Sequence, residues 1–311
     1  MRALSFGLIA LCLASLAGCT AGDGSGEDEP FRVRNAQFFS GALPGFVPTG
    51  DSERTPRLTG IETANLAVRQ GQGAKVFSGR AERDASSIAI VLDGVGTGYW
   101  VIPTGVVDAA TGELTWTLSA DFDLTIRPGA YTVRVVAIDE TGQAGDQLLQ
   151  PLCISGRVPD NGRACDDQRE PPRAVISLQW DTNVDLDVQV VASDGSILDA
   201  KHPTGSGAES FTGATLDRDS NAACAIDGIR TENVVWNDAW PEGRYHVFAN
   251  LFDACGAASV RFSVNLYSAE SNEDGTADVL VRHLRRTGEL LEMAVDPRAT
   301  RGLFITEVSF Q

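Results

Sequence analysis

The chain has 311 residues, with 25 Lys and Arg against 42 Asp and Glu and a formal charge of −17. That balance excludes nucleic acid as a partner, because phosphate binding needs clustered Lys and Arg, and it argues against adsorption on anionic lipid. It suits solubility and is compatible with divalent cations.

In chain order, Met1-Arg2 is followed by an apolar run from Ala3 to Leu16. The run is too short to span a bilayer and has the length of a secretory signal. It closes Leu16-Ala17-Gly18-Cys19, small residues followed at once by cysteine. This resembles the lipobox of bacterial lipoproteins. The resemblance implies that residues 1–18 are a signal peptide and that Cys19 carries the lipid, palmitate included, as a stable membrane anchor. Thr20 in place of Asp after the cysteine resembles the outer-membrane default, so the expected location is the cell envelope, anchored in the outer membrane. Removing residues 1–18 takes away only Arg2 among the charges, leaving 24 basic and 42 acidic residues and a charge of −18. The stretch "TAGDGSGEDEP" (20–30) is Gly, Ser, acid and Pro, which predicts a self-repelling tether. Residues 19–54 are expected as lipidated terminus and linker.

About 290 residues beyond the signal favour two domains over one core. Between 55 and 155, apolar residues alternate with polar ones, with Gly, Asp and Pro about every ten residues. Ile88, Ile90 and Leu92 share a face, as do Leu114, Trp116 and Leu118, and Tyr131, Val133, Val135 and Ala137 after a Pro-Gly turn. No helix of ten or more residues is expected there. Seven strands of this kind resemble an immunoglobulin-like β-sandwich. The Gly-rich run 94–98 falls between two strands, so it is expected as a hairpin loop, not a phosphate cradle.

Six cysteines occur; Cys12 falls in the signal and Cys19 is the lipid site. Cys153, Cys165, Cys224 and Cys255 remain, an even number that in an exported chain predicts two disulfides. Of three pairings, proximity favours Cys153–Cys165 and Cys224–Cys255. The Gly/Asn/Asp/Pro stretch 156–172 reads as a linker stiffened by the first of these.

A second β domain is expected over 173–311. "VDLDVQV" places Val184, Leu186, Val188 and Val190 on one face and Asp185, Asp187 and Gln189 on the other. "GRYHVFANLF" and "ASVRFSVNLY" are expected to pair across Asp253-Ala254-Cys255-Gly256. Residues 193–232 form a long polar stretch, a length that in a compact domain signals function or ordering by something bound. Four stretches, "SLQWDTNVDLDVQV", "GATLDRDSNAACAIDGIRTENVVW", "PEGRYHVFANLFDACG" and "VRFSVNLY", resemble in order the YfaP-like domain of secreted bacterial proteins, and more loosely the pre-peptidase module of secreted proteases. The resemblance runs from about Ala174 to Tyr267 and implies a β-sandwich of unknown function. The fold expectation is therefore all-β: two tandem antiparallel β-sandwich domains, Ig-like and then YfaP-like.

"DRDSN" supplies Asp217, Asp219 and Asn221, alternating oxygen ligands of the kind calcium takes six to eight of. An EF-hand is excluded, since Ala222 stands where its Gly belongs and Gly228 where its Glu belongs. Asp185, Asp187, Asp217, Asp219 and Asn221 are the candidate calcium ligands, with Asp227 or Glu232 nearby. The competing account is a cation-free loop in which these side chains bind their own backbone and pair with Arg218, Arg230 or Lys201. No catalytic residue is expected. His202, His246 and His283 form no His-Glu-x-x-His, there is no Gly-x-Ser-x-Gly, and a carboxylate pair would need a cleft. His202 is expected in a loop and His246 opposite the core face of its strand. Trp116 and Trp180 lie on apolar strand faces and are expected in cores; Trp240, before Pro241, is the best exposed candidate for sugar stacking among Trp100, Trp116, Trp180, Trp236 and Trp240. The composite expectation is a lipid-anchored, non-catalytic binding or structural module, with an envelope protein or glycan as partner. Its rivals are a calcium-dependent carbohydrate- or protein-binding adhesin and an acidic-residue hydrolase.

Overall fold

The structure is a computed structural model that describes residues 25–45, 56–205, 209–238, 241–275 and 278–310. The expected signal peptide, Cys19 and Trp240 lie outside the described residues. The described chain is all-β, its short helical turns being 3-10 only. No helix among the described residues is long and apolar enough to cross a membrane.

The first body is built from β1 (Phe31–Val33), β2 (Gln37–Ser40), β3 (Leu58–Glu62), β4 (Ala67–Arg69), β5 (Lys75–Ala81), β6 (Ala85–Leu92), β7 (Gly98–Pro103), β8 (Leu114–Phe122), β9 (Gly129–Asp139) and β10 (Leu148–Ser155). They form two sheets, ordered β1-β8-β5-β3 and β2-β7-β6-β9-β10-β4. The alternating residues expected to face inward do so: Ile88, Ile90, Leu92, Trp116, Leu118, Val133, Val135 and Ala137 are buried in one cluster. Two strands fall inside the stretch 19–54 expected as linker. Phe31 pairs with Phe122 and Phe38 with Trp100, and the Trp100 indole N–H donates to the Phe31 carbonyl at 2.8 Å. Burial of Phe31 and Val33 outweighs the acidic tether beside them. β3 ends at Glu62 and β4 starts at Ala67, so the chain changes sheet over residues 63–66.

The second body holds β11 (Ala174–Trp180), β12 (Asp185–Ala192), β13 (Ile197–Leu198), β14 (Ala214–Leu216), β15 (Thr231–Trp236), β16 (Gly243–Asp253), β17 (Ser259–Ser271), β18 (Asp278–Leu291) and β19 (Leu303–Phe310). Its sheets are β14-β15-β11-β17-β18 and β13-β12-β16-β19. The expected β16–β17 hairpin is not formed. β16 pairs with β12 and β19, and β17 with β11 and β18. Both strands have an apolar face, Tyr245, Val247, Ala249 and Leu251 on one and Val260, Phe262 and Val264 on the other. These faces meet across the core, so residues 254–258 cross from one sheet to the other. Trp180 to Asp185 makes the same kind of crossing between β11 and β12.

Both expected disulfides are present, Cys153–Cys165 with Cα atoms 5.8 Å apart and Cys224–Cys255 at 5.5 Å. Such bonds belong to an extracytoplasmic protein. The second ties the loop after β14 to the β16–β17 crossing.

The two bodies meet through that same loop. Arg69, at the end of β4, forms a 2.8 Å ion pair with Asp217, both side chains mostly buried. The Gly73 N–H donates to the Asp227 carbonyl at 3.2 Å. Gly228 sits at φ +81°, where a Cβ would lie 2.8 Å from the Gly73 nitrogen, so a side chain is excluded by the approach of the other domain's backbone as well as by φ. From the linker, Arg157 donates to the Arg230 carbonyl at 2.5 Å and accepts at its own carbonyl from the Asn233 amide at 3.2 Å.

Candidate functional site

β12 turns Leu186, Val188 and Val190 into the core, so Asp185, Asp187 and Gln189 stand on its outer face. Neighbouring β16 presents Phe248, Asn250 and Phe252 on the same side, with Asn250 opposite Asp187. The 3-10 turn at Ala222–Cys224 and the loop around Asp199 close over this face. Together they bound a cavity of about 240 Å³. On it, Asp185, Asp187 and Asp219 bring carboxylate oxygens within 4.8 Å of one another.

The floor of the cavity is a set of acids withdrawn from water. Asp185 is 2% exposed and Asp187 8%. One Asp185 oxygen accepts the Ala223 N–H at 2.6 Å; the other, Oδ1, is buried with no hydrogen-bond partner. Burial pushes the Asp185 carboxyl up to about 6 against the pull of the Ala223 N–H, and Asp219 and Asp253 raise it further. Burial, then the charges of Asp185 and Asp219, push Asp187 up to about 7 against a hydrogen bond from Asn250. Asp219 is raised by burial and by Asp227. Beneath them Glu232 is fully buried, accepting from the Val188 N–H at 2.8 Å and the Ser220 N–H at 3.0 Å. Burial and the charge of Asp187 hold its carboxyl well above the ordinary range. Carboxylates this close repel one another when ionised, which raises their pKa values. Carboxylate oxygens are the ligand type that a hard cation takes, and these three could hold one.

The five expected ligands separate. Asp185, Asp187 and Asp219 converge. Asp217 does not: it pairs with Arg69 and accepts from the Asn233 backbone and side-chain amides, each at 2.8 Å. Asn221 does not either. In left-handed conformation at φ 60°, it donates to the Val184 carbonyl at 3.0 Å and accepts from the Asp227 N–H at 3.2 Å. Asp227 turns to Arg218 at 3.1 Å, as one account of the loop expected. Asp181 lies outside the cavity, accepting from the Arg261 N–H at 3.0 Å. So Asp217, Asn221 and Asp227 follow the cation-free account, whereas Asp185, Asp187 and Asp219 converge on one another. Asn250, Asp199 and Phe252 also line the cavity and were missed in the sequence. Asn250 and Phe252 follow from the outer face of β16 at period two; Asp199 has no such signal.

A second cluster, Cys224, Asp253 and Cys255, offers no metal site, because its sulfurs are joined in the disulfide. Ser268, His283 and Glu270 look superficially like a hydrolase relay. Ser268 Oγ at 2.5 Å and Glu270 Oε1 at 3.3 Å both meet the same nitrogen, Nε2, whereas a relay needs one partner on each ring nitrogen. Trp100, Trp116, Trp180 and Trp236 are all buried and form no stacking platform. His202 pairs with Asp199 in a loop, and His246 is on the outer face against Glu307 at 3.0 Å.

No protein-family model matches the chain, and no curated protein sequence does. Solved structures similar to it include fibronectin(III)-like modules of Clostridium thermocellum CbhA, at 11% identity over 76% of this chain and 93% of that one, TM-score 0.20. The D00-D0 domain of intimin matches at 10% identity over 72% and 98%, TM-score 0.20. These are likenesses between β-rich proteins and carry no residue over to this chain.

Proposed function

We propose that this chain is a lipid-anchored module of the cell envelope, held by Cys19 after loss of residues 1–18, that has no catalysis of its own and binds calcium between Asp185, Asp187 and Asp219. The observation that carries the cation is the orphaned Asp185 Oδ1. A buried acceptor with no donor costs about 1–3 kcal/mol, and it sits on the cavity where two more carboxylates converge. A divalent cation would satisfy that oxygen and remove the repulsion together. The hydrolase reading needs an acid and a base flanking a scissile bond; here three carboxylates face one point.

The test of the cation is thermal unfolding at pH 7.5 in calcium and in EGTA. Calcium at 100 times its dissociation constant would stabilise by about 2.7 kcal/mol, roughly 5–10 °C in Tm for a domain of this size. Absence of a shift, or an equal shift in Asp185→Ala, would sink the site. Lipidation is tested separately: Cys19→Ala should move the protein from the membrane to the soluble fraction and abolish labelled palmitate incorporation. Turnover of glycan or peptide panels would overturn the non-catalytic reading.

A further inference from the structure

We propose that the cavity over Asp185, Asp187 and Asp219 is a binding site for one neutral sugar ring, whose adjacent hydroxyls complete the coordination of the cation. The inference rests on the cation reading and adds the ligand.

Coordination comes first. Calcium takes six to eight oxygens. Asp185 has only Oδ1 to give, since Oδ2 is engaged by the Ala223 N–H. Three converging carboxylates therefore leave several positions open, and these face the cavity. Charge narrows the ligand next. Three carboxylates and one divalent cation retain a net negative charge. Of the other lining residues, Asp199 and Lys201 carry opposite charges. An anionic ligand would meet repulsion, whereas hydroxyl oxygens would not.

The walls fit the same ligand. Ala200, Ala222, Ala223 and Ala299 are small, and Phe252 offers the one aromatic surface among the described lining residues. Sugar C–H edges pack on such a surface. Gln189 uses its carbonyl to accept the Gly302 N–H at 2.7 Å, which leaves its amide N–H groups to donate to hydroxyls. The volume of about 240 Å³ is that of about eight waters. It lies below the roughly 300 Å³ at which drug-sized pockets begin and suits a single pyranose ring.

The experiment uses the detergent-solubilised full chain and isothermal titration with four neutral probes: methyl α-mannopyranoside, methyl β-galactopyranoside, methyl α-fucopyranoside and methyl β-N-acetylglucosaminide. A methyl glucuronide serves as the anionic control, and each is titrated in calcium and in EGTA. At least one neutral glycoside should bind in calcium, at least tenfold more weakly in EGTA, and the glucuronide at least tenfold more weakly than the best neutral probe. Ala299→Leu, which fills the cavity, and Phe252→Ala should each lose at least tenfold in glycoside affinity while keeping the calcium-dependent Tm shift. A calcium shift with no glycoside binding overturns this inference and leaves the cation standing. Glycoside binding that persists in EGTA, or that both variants retain, overturns it as well. No calcium shift removes the cation reading and this one together.

Discussion

Asp187→Asn should make the calcium-free protein more stable at alkaline pH while abolishing its response to calcium. Unfolded, an aspartate titrates near pH 3.9; folded, Asp187 is pushed up to about 7. Between those values the native state holds a proton that the unfolded state has released, so stability falls as pH rises through the window. The difference of about three pH units is worth about 4 kcal/mol at 1.36 kcal/mol per unit. That cost is absent at pH 4 and fully present above pH 8. Asparagine keeps the shape and a hydrogen-bonding group for Asn250 without the charge. In EGTA, wild type and variant should therefore melt together near pH 4, diverge between pH 4 and 7, and keep a constant gap above pH 8. The variant should be higher at pH 8 by about 8–16 °C, taking 2–4 °C per kcal/mol. Added calcium should then raise wild type and leave the variant unmoved. The assay is differential scanning calorimetry in EGTA at half-unit pH steps. A variant that melts below wild type at pH 8, or a gap that does not widen with pH, would refute the reasoning.

Opening the Cys224–Cys255 disulfide should cost about 3–4 kcal/mol by loop-closure entropy over a separation of 31 residues. It should also weaken calcium binding, because Ala223 and Cys224 sit at φ 50° and 60°, a conformation costing roughly 1–2 kcal/mol per residue without external restraint; calorimetry of Cys224→Ala/Cys255→Ala with and without calcium reads both. Arg69→Ala should cost about 2 kcal/mol, since Asp217 loses its buried partner but keeps the Asn233 bonds. It should also broaden the interdomain distance distribution in small-angle scattering, and an unchanged distribution would mean that other contacts set the angle. Trp116→Ala should lower stability by about 3–5 kcal/mol, read by denaturant unfolding of the first domain.

Much of the fold was legible because period-two alternation reports a half-buried strand directly. The first sandwich shows this at Leu114, Trp116 and Leu118, and the second at Leu186, Val188 and Val190, all of them inward. Alternation says which face of a strand is apolar but not which strand lies beside it. That is why β16 and β17, each with a clean apolar face, were expected as partners and turned out to face each other across the core. The same limit hid β1: three residues next to an acidic tether carry too little pattern, and only the Trp100 and Phe122 contacts explain its place.

The acidic loop was legible as a locus and not as a geometry. In "LDRDSN", Asp217 and Asp219 are equivalent as text, two apart and each next to Arg218. The fold separates them through contacts far away in sequence. Asp217 meets Arg69 from the other domain, whereas Asp219 reaches the outer face of β12, where Asp185 and Asp187 wait. Between them and Asn221, Ser220 donates its N–H to buried Glu232 and its hydroxyl to the Thr231 carbonyl. This anchor fixes the backbone immediately after the two aspartates, and one short segment serves the domain interface through Asp217 and the acid cluster through Asp219. A carboxylate drawn to an arginine is neutralised in place and needs no ion. Three carboxylates drawn to one another are not, and the unpaired Asp185 Oδ1 lies among those three.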